Sequence, residues 1–81
     1  MNPALNALIT MEEYEGPEEA FMAESATVVR GALNCSAEES ARIIQDLRES
    51  RQIDFRITLG GQLPDHETEY ARWYWYVPEE V

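Results

Sequence analysis

The 81-residue chain has no lysine, one cysteine, one histidine and no long apolar run, and each shortage excludes a class of protein. One cysteine, Cys35, cannot form a disulfide framework, which is typical of a reducing compartment, so we expect a cytoplasmic protein. No apolar stretch approaches the roughly 18 residues that a membrane-spanning helix needs, and the first residues lack the basic region of a signal peptide. The sequence therefore predicts no contact with a membrane.

Motifs that carry common enzyme chemistry are also missing. The sequence has no glycine-rich phosphate loop, no nucleophile elbow, no ordered catalytic triad and no paired zinc ligands. His66 stands beside Asp65 and Glu67, which would bind a metal only weakly without a second histidine, so we favour a solvated loop. We predict a non-catalytic protein with no metal, cofactor or small-molecule substrate, because so small a domain hardly encloses a pocket.

The composition predicts a folded chain, since 44% of the residues are hydrophobic. Its length predicts one domain over residues 1–81. A core of this size supplies only about 5 kcal/mol of stability by itself. We therefore expect association with a protein partner or with a second copy, most simply as a homodimer.

Charge is distributed unevenly along the chain, whose net charge is −10. Residues 1–29 carry six acidic residues and no basic one. All six arginines lie within residues 30–72, where eight acidic residues leave a net charge of −2. Because Lys and Arg contacts to phosphate supply most non-specific affinity for nucleic acid, this balance disfavours DNA as a partner. The repulsion of nucleic acid is weaker in residues 30–72, which contain the arginines.

Apolar spacing predicts helices in the first half of the chain. Residues 3–14 have helical periodicity, and Gly16-Pro17 ends that segment because proline cannot continue a helix. Residues 17–33 form one helix or two pieces broken near Ser25, and the sequence leaves this boundary open. The first segment carries an apolar stripe that is our candidate for self-association: Leu5, Leu8 and Ile9.

A capping box at Ser36-Ala37-Glu38-Glu39 predicts the start of a helix that runs to about residue 50. Ser36 accepts from an amide of the first turn, and Glu39 reaches back to the cap. A core stripe recurs at spacings of three and four: Ser40, Ile43, Ile44, Leu47 and, at its end, Arg51. Together with the preceding helix this predicts a helix-turn-helix over about residues 25–51.

Strict alternation predicts two half-buried antiparallel strands at residues 53–59 and 69–77. Gly60-Gly61 and Pro64-Asp65 supply turn residues between them, so a hairpin over about 53–77 is expected. The inward residues of the hairpin are apolar: Ile53, Phe55, Ile57 and Leu59 in one strand, and Ala71, Trp73, Trp75 and Val77 in the other.

Helix, tight turn, helix and strand in this order resemble the winged helix-turn-helix family of bacterial transcriptional regulators. The likeness covers about residues 25–77 and is carried by the following residues: Ala32-Leu33-Asn34-Cys35-Ser36, Ile43-Ile44, Leu47 and Ile53. It implies an α+β winged helix-turn-helix fold, in which N-terminal helices precede a two-stranded antiparallel wing. The family usually has a glycine where the second helix turns into the wing, and this chain has Arg51.

In that family the second helix of the pair enters the major groove of double-stranded DNA, and the wing touches a neighbouring groove or phosphate. The resemblance assigns the wing tip to Gly60–Glu69. It assigns the groove-facing positions to the first half of the helix: Ala37, Glu38, Glu39, Ala41 and Arg42.

The arginines and tyrosines each allow two interpretations. The first makes Arg42, Arg48, Arg51 and Arg56 a basic strip for phosphate, and makes Tyr70, Tyr74 and Tyr76 with Arg56 and Arg72 a stacking platform for single-stranded nucleic acid. The second pairs the arginines locally: Arg42 with Glu38 or Glu39, and Arg48 or Arg51 with Asp54. In it the tryptophans fill the core, and the tyrosines pair with Arg56 or with a second copy. We favour the second.

The leading functional hypothesis is a regulatory module that acts through protein contact, including self-association. The alternative is a DNA-binding transcriptional regulator, similar to a small phage or plasmid repressor, that reads the major groove with Arg42 and Gln45 of the helix 36–50. A third hypothesis is an acidic mimic of phosphate charge. Both leading hypotheses draw on the same candidate contact residues: Glu38, Arg42, Gln45, Arg48, Arg56, Arg72, Tyr74 and Tyr76.

Overall fold

The computed structural model describes residues 2–59 and 71–78, and in them the chain folds as a small α+β structure of three helices and a three-stranded antiparallel sheet. The elements follow in this order: α1 Pro3–Thr10, β1 Tyr14–Glu15, α2 Glu18–Leu33, α3 Ala37–Glu49, β2 Asp54–Leu59 and β3 Ala71–Tyr76. The predicted wing tip at Gly60–Glu69, with His66, lies outside the described residues.

The sheet has the strand order β1-β3-β2, so the prediction of a two-stranded unit was wrong by one strand. Tyr14 pairs with Trp73 and Glu15 with Arg72, while β2 pairs with β3 along its whole length. Two residues are too few to show an alternating pattern in the sequence. The third strand forms because β3 offers its free edge to residues 14–15.

The turn between β1 and α2 depends on Gly16, whose φ of 146° is a backbone conformation that other residues rarely adopt. A Cβ at this position would lie 2.9 Å from a ring carbon of Tyr14. The Gly16 amide donates to the Ala71 carbonyl at 3.1 Å, and its carbonyl accepts from Trp73 Nε1 at 2.7 Å. The turn therefore fixes α2 against β3.

Helix α1 begins at Asn2, whose side chain accepts from the Ala4 and Leu5 amides. It ends at Thr10, before the predicted limit of residue 14, because Met11 is already extended and the chain continues into β1. Helix α2 is continuous from Glu18 to Leu33, which answers the question of a break near Ser25.

A short turn joins α2 to α3. Asn34 ends α2 in the left-handed conformation with φ 55°, and its amide donates to the Arg30 carbonyl at 2.7 Å. Ser36 then caps α3, as predicted, by accepting from the Glu39 amide at 3.1 Å. The Glu39 carboxylate accepts from the Ser36 hydroxyl, also at 3.1 Å, rather than from the backbone amide of the cap.

Replacing the cap is expected to weaken the fold measurably. Ser36→Ala leaves the Glu39 amide without its side-chain acceptor, so we expect a loss of about 1 kcal/mol in the free energy of unfolding. Urea titration followed by circular dichroism measures it. Ser50→Ala is the matched control, because that hydroxyl lies at the other end of α3, donates to the Leu47 carbonyl, accepts from the exposed Gln52 side chain, and caps no amide of the first turn. Equal stability of the two variants would contradict the assignment of the cap.

Helix α3 ends in a Schellman motif with an arginine at its left-handed position. The Gln52 amide donates to the Leu47 carbonyl at 2.9 Å and the Arg51 amide to the Arg48 carbonyl at 3.0 Å. Arg51 has φ 62°, in the place that glycine usually takes. The prediction that Arg51 extends the core stripe was wrong, because it is exposed and lies beyond the helix. The stripe itself is confirmed at Ser40, Ile44 and Leu47.

Phe21 occupies the centre of the core between the helices and the sheet. It stacks on Trp73 and Trp75, with ring centroids 5.5 and 5.3 Å away, and contacts Phe55 at 5.9 Å. Both tryptophans are buried, as the alternation predicts. Ile57 pairs with Trp73 on the same sheet face but is 47% exposed, because β2 is an edge strand and the helices pack mainly on β3. Its predicted place in the core was wrong.

Candidate functional site

The outward face of α3 is exposed and rich in acid. Glu38, Arg42 and Gln45 are all exposed, and the Gln45 amide donates to the Glu49 carboxylate at 3.2 Å. The helix carries four acidic residues and two arginines. Arg42 forms no ion pair with Glu38 or Glu39, so that predicted local pairing was wrong.

Arg48, the other arginine of α3, is occupied within the fold. Its Nε lies 3.7 Å from Asp54 Oδ1, and its guanidinium carbon lies 4.5 Å from the centre of the Phe55 ring. The predicted pairing of Arg48 with Asp54 is confirmed. The pair ties the last turn of α3 to the first residues of β2.

The outer face of the sheet, on the side away from the helices, joins tyrosines and arginines. Arg56 is the register partner of Tyr74, and its guanidinium carbon lies 4.5 Å from the centre of the Tyr76 ring. The side chains of Tyr76 and, second, Tyr74 raise the pKa of Arg56 above its ordinary value, because hydrogen bonding to their oxygens favours the charged form. The predicted pairing of the tyrosine face with Arg56 is confirmed.

Arg72 completes that face toward β1. Its Nε donates to Glu15 Oε1 at 3.1 Å, so it joins β3 to β1 through side chains as well as through the backbone. The arginines consequently lie apart: Arg42 and Arg48 on α3, and Arg56 and Arg72 on the outer sheet face. The predicted basic strip is thus divided between two places: Arg42, Arg48 and Arg51 belong to α3 and the turn after it, whereas Arg56 lies on the outer sheet face.

Comparisons with protein-family models, with curated proteins and with solved structures found no match. In the described ranges, no helix has both the length and the apolar character that crossing a bilayer requires. In the same ranges, no group of three or more His, Cys, Asp or Glu side chains is placed to hold a metal ion.

The stripe predicted for self-association is mostly used inside the chain. Leu8 is fully buried and Leu5 is half-buried against the core, whereas Ile9 is 37% exposed. Leu8 is thus removed from the candidate surface, because its side chain already packs in the monomer. The helical spacing placed Leu8 on an apolar face correctly, but the core covers that face.

A groove with a volume of about 620 Å³ lies between α2, α3, the start of β2 and the end of β3. Its apolar lining comes from the two helices and from the residues just before β2 and just after β3: Met22, Ala26, Ala41, Ile44, Ile53 and Pro78. Its polar rim contains Gln45, Arg48, Glu49, Arg51 and Asp54. Of the predicted contact residues, Gln45 and Arg48 thus meet at this groove, while Glu38, Arg42 and the sheet-face residues lie elsewhere.

Sequence reasoning missed most of the groove. Met22 and Ala26 lie one helical turn apart next to the core positions Phe21 and Ser25, and nothing in the sequence distinguishes a groove wall from the edge of the core. Arg51 is the exception, because the winged helix-turn-helix family that the sequence resembles usually has a glycine there, and this departure marks the position as unusual.

Proposed function

We propose that this chain is a winged-helix regulatory module of the cytoplasm that acts through contact with protein rather than with DNA. The observation that carries the proposal is the charge of α3. Its exposed surface carries Glu38, Glu39 and Glu49, and of its two arginines Arg48 is paired with Asp54. Arg42 alone remains to face phosphate from this helix.

Three features support the winged-helix arrangement. The order of elements is helix, strand, helix, helix, strand, strand, and β1 lies beside β3 rather than beside β2. The turn at Asn34–Ser36 is short, and α2 and α3 pack against each other. The outward face of α3 is left exposed, as the reading helix of such a domain would be.

Two kinds of surface support protein as the partner. The groove combines an apolar lining with a polar rim, and the outer sheet face places Tyr74, Tyr76 and Arg56 at its centre. Tyrosine and arginine are enriched at the energetic centres of protein interfaces. Self-association would use the exposed Ile9 and the outer sheet face, and light scattering after size exclusion tests it directly.

DNA binding is expected to be undetectable even where electrostatic attraction is strongest. Fluorescence anisotropy with a mixed-sequence duplex at about 20 mM salt should show no saturable binding, because few cations face the phosphates and the net charge is −10. The alternative, a DNA-binding regulator, predicts binding that weakens steeply with salt and is lost in Arg42→Glu.

A gain-of-binding variant serves as the positive control for this test. Glu38→Lys with Glu49→Lys turns the exposed face of α3 basic and leaves the cap residue Glu39 in place. We expect this double variant to acquire salt-dependent binding, because the wild-type charge is what keeps α3 off DNA. Salt-dependent binding by the wild type would overturn the proposal.

A further inference from the structure

Arg51 has a strained backbone and a side chain without a polar partner among the described residues. Its left-handed backbone, with φ 62°, is costly for any residue with a Cβ, and glycine would remove the strain. The guanidinium forms no hydrogen bond or ion pair with any residue in the described ranges 2–59 and 71–78. Strained residues concentrate at functional sites. The arginine stands at the rim of the groove between α2 and α3.

We propose that this groove binds a segment of a partner protein that carries bulky apolar side chains next to an acidic residue, with the carboxylate on Arg51. The inference rests on the proposed function and names the surface and the partner chemistry. The apolar lining supplies the anchor site, since Ile44 and Ile53 form a buried floor. Ala26 and Ala41 are small enough to leave room for a large side chain above them.

The charges at the rim of the groove explain why the partner segment should carry an acidic residue. Within the rim, Arg48 is paired with Asp54, and the Glu49 carboxylate accepts from the Gln45 amide. Arg51 is then the rim cation that has no carboxylate among the described residues. The net negative charge of the chain opposes an acidic partner at long range, but salt screens it beyond about 10 Å, whereas contact with Arg51 is local.

The shape of the groove favours a peptide segment over the alternatives. The groove is partly open to solvent, whereas a small-molecule site usually surrounds most of its ligand. The apolar stripe of α1 that a second copy could offer is mostly buried, since Leu8 is fully buried and Leu5 is half-buried against the core. A segment with apolar anchors buries them in the groove while its backbone stays at the open side.

Nuclear magnetic resonance with three short peptides tests the proposal. The probes are acetyl-Leu-Phe-Glu-Leu-amide and its glutamine and lysine counterparts, titrated into the ¹⁵N-labelled chain. We expect shifts at the amides of Met22, Ala26, Ala41 and Ile44, and binding of the glutamate peptide about fourfold tighter than that of the lysine peptide.

Two variants and one control make the test specific. Arg51→Gly should raise the thermal midpoint and abolish the preference for glutamate, because it relieves the backbone strain and removes the cation. Ala26→Leu should block all three peptides by filling the groove. Arg42→Ala, which removes an arginine of α3 outside the groove, should leave both affinity and preference unchanged.

The contrary outcomes are equally clear. Absence of shifts at the groove, a glutamate preference that survives Arg51→Gly, or unchanged binding in Ala26→Leu would each overturn the proposal. Chemical-shift changes at the groove amides that grow with protein concentration in the absence of peptide, together with a dimer in light scattering, would show that the groove binds a second copy instead of a partner segment. If no peptide binds and the wild type does not bind DNA either, the groove proposal is wrong, but the proposed protein contact can still use another surface. If the wild type binds DNA, the proposed function itself is wrong.

Discussion

Phe21→Ala is expected to remove most of the stability of the fold at room temperature. Phe21 is fully buried and its ring touches those of Phe55, Trp73 and Trp75. Truncating a buried phenylalanine costs about 3–5 kcal/mol, through the lost transfer free energy and the cavity left behind. That loss is comparable to the roughly 5 kcal/mol that a domain of this size supplies in total.

Circular dichroism and tryptophan fluorescence during urea titration measure this effect. Ile57→Ala is the matched control, since Ile57 is the register partner of Trp73 on the sheet face toward Phe21 but is 47% exposed. Its truncation should change the free energy of unfolding by only about 0.5 kcal/mol. Retention of the wild-type urea midpoint by Phe21→Ala would mean that Phe21 does not hold the helices on the sheet.

Ser25→Ala is expected to cost about 1–3 kcal/mol of stability, although it removes a single oxygen atom. The Ser25 hydroxyl accepts from Trp75 Nε1 at 2.8 Å and donates to the Phe21 carbonyl, also at 2.8 Å. Both Ser25 and Trp75 are buried, so the indole N–H would be left without an acceptor where water cannot replace it. In the described residues, every buried side-chain N or O atom has a partner.

A second hydroxyl on the same helix provides the control. Thr27 donates to the Ala23 carbonyl at 3.0 Å with the same spacing, but it is exposed, so Thr27→Ala should be nearly neutral. Adding Trp75→Phe to Ser25→Ala removes the orphaned donor. The two changes should therefore cost less together than the sum of their separate effects. Strict additivity would show that the hydrogen bond contributes nothing measurable.

Helix α3 was predictable because its determinants lie close together in the sequence. Ser36 and Glu39 are three residues apart and meet within the first turn, and Ile44 and Leu47 fall on one face by helical spacing alone. The alternation of β3 was equally local: Trp73 and Trp75 must share a face whatever the fold, and an apolar face must be covered.

The candidate sites were predictable only in part. Local pairing was confirmed for Arg48 with Asp54 and for Arg56 with the tyrosines, but not for Arg42. Arg48 and Asp54 lie on different elements, so their contact depends on the turn that follows α3. The groove was not predictable, because its lining comes from two helices and from residues at the ends of two strands, whose relative placement no single segment encodes.

The sequence by itself determined the elements whose signals repeat within a few residues: the capped helix α3 with its buried stripe, and the strands β2 and β3. Tertiary structure alone decided the third strand, the burial of Leu8, the exposure of Ile57 and the groove beside Arg51. The physical reason is the range of the interactions. Caps and periodicity act within one or two turns, whereas burial and edge pairing depend on segments that are distant in the chain and meet only when the core closes around Phe21.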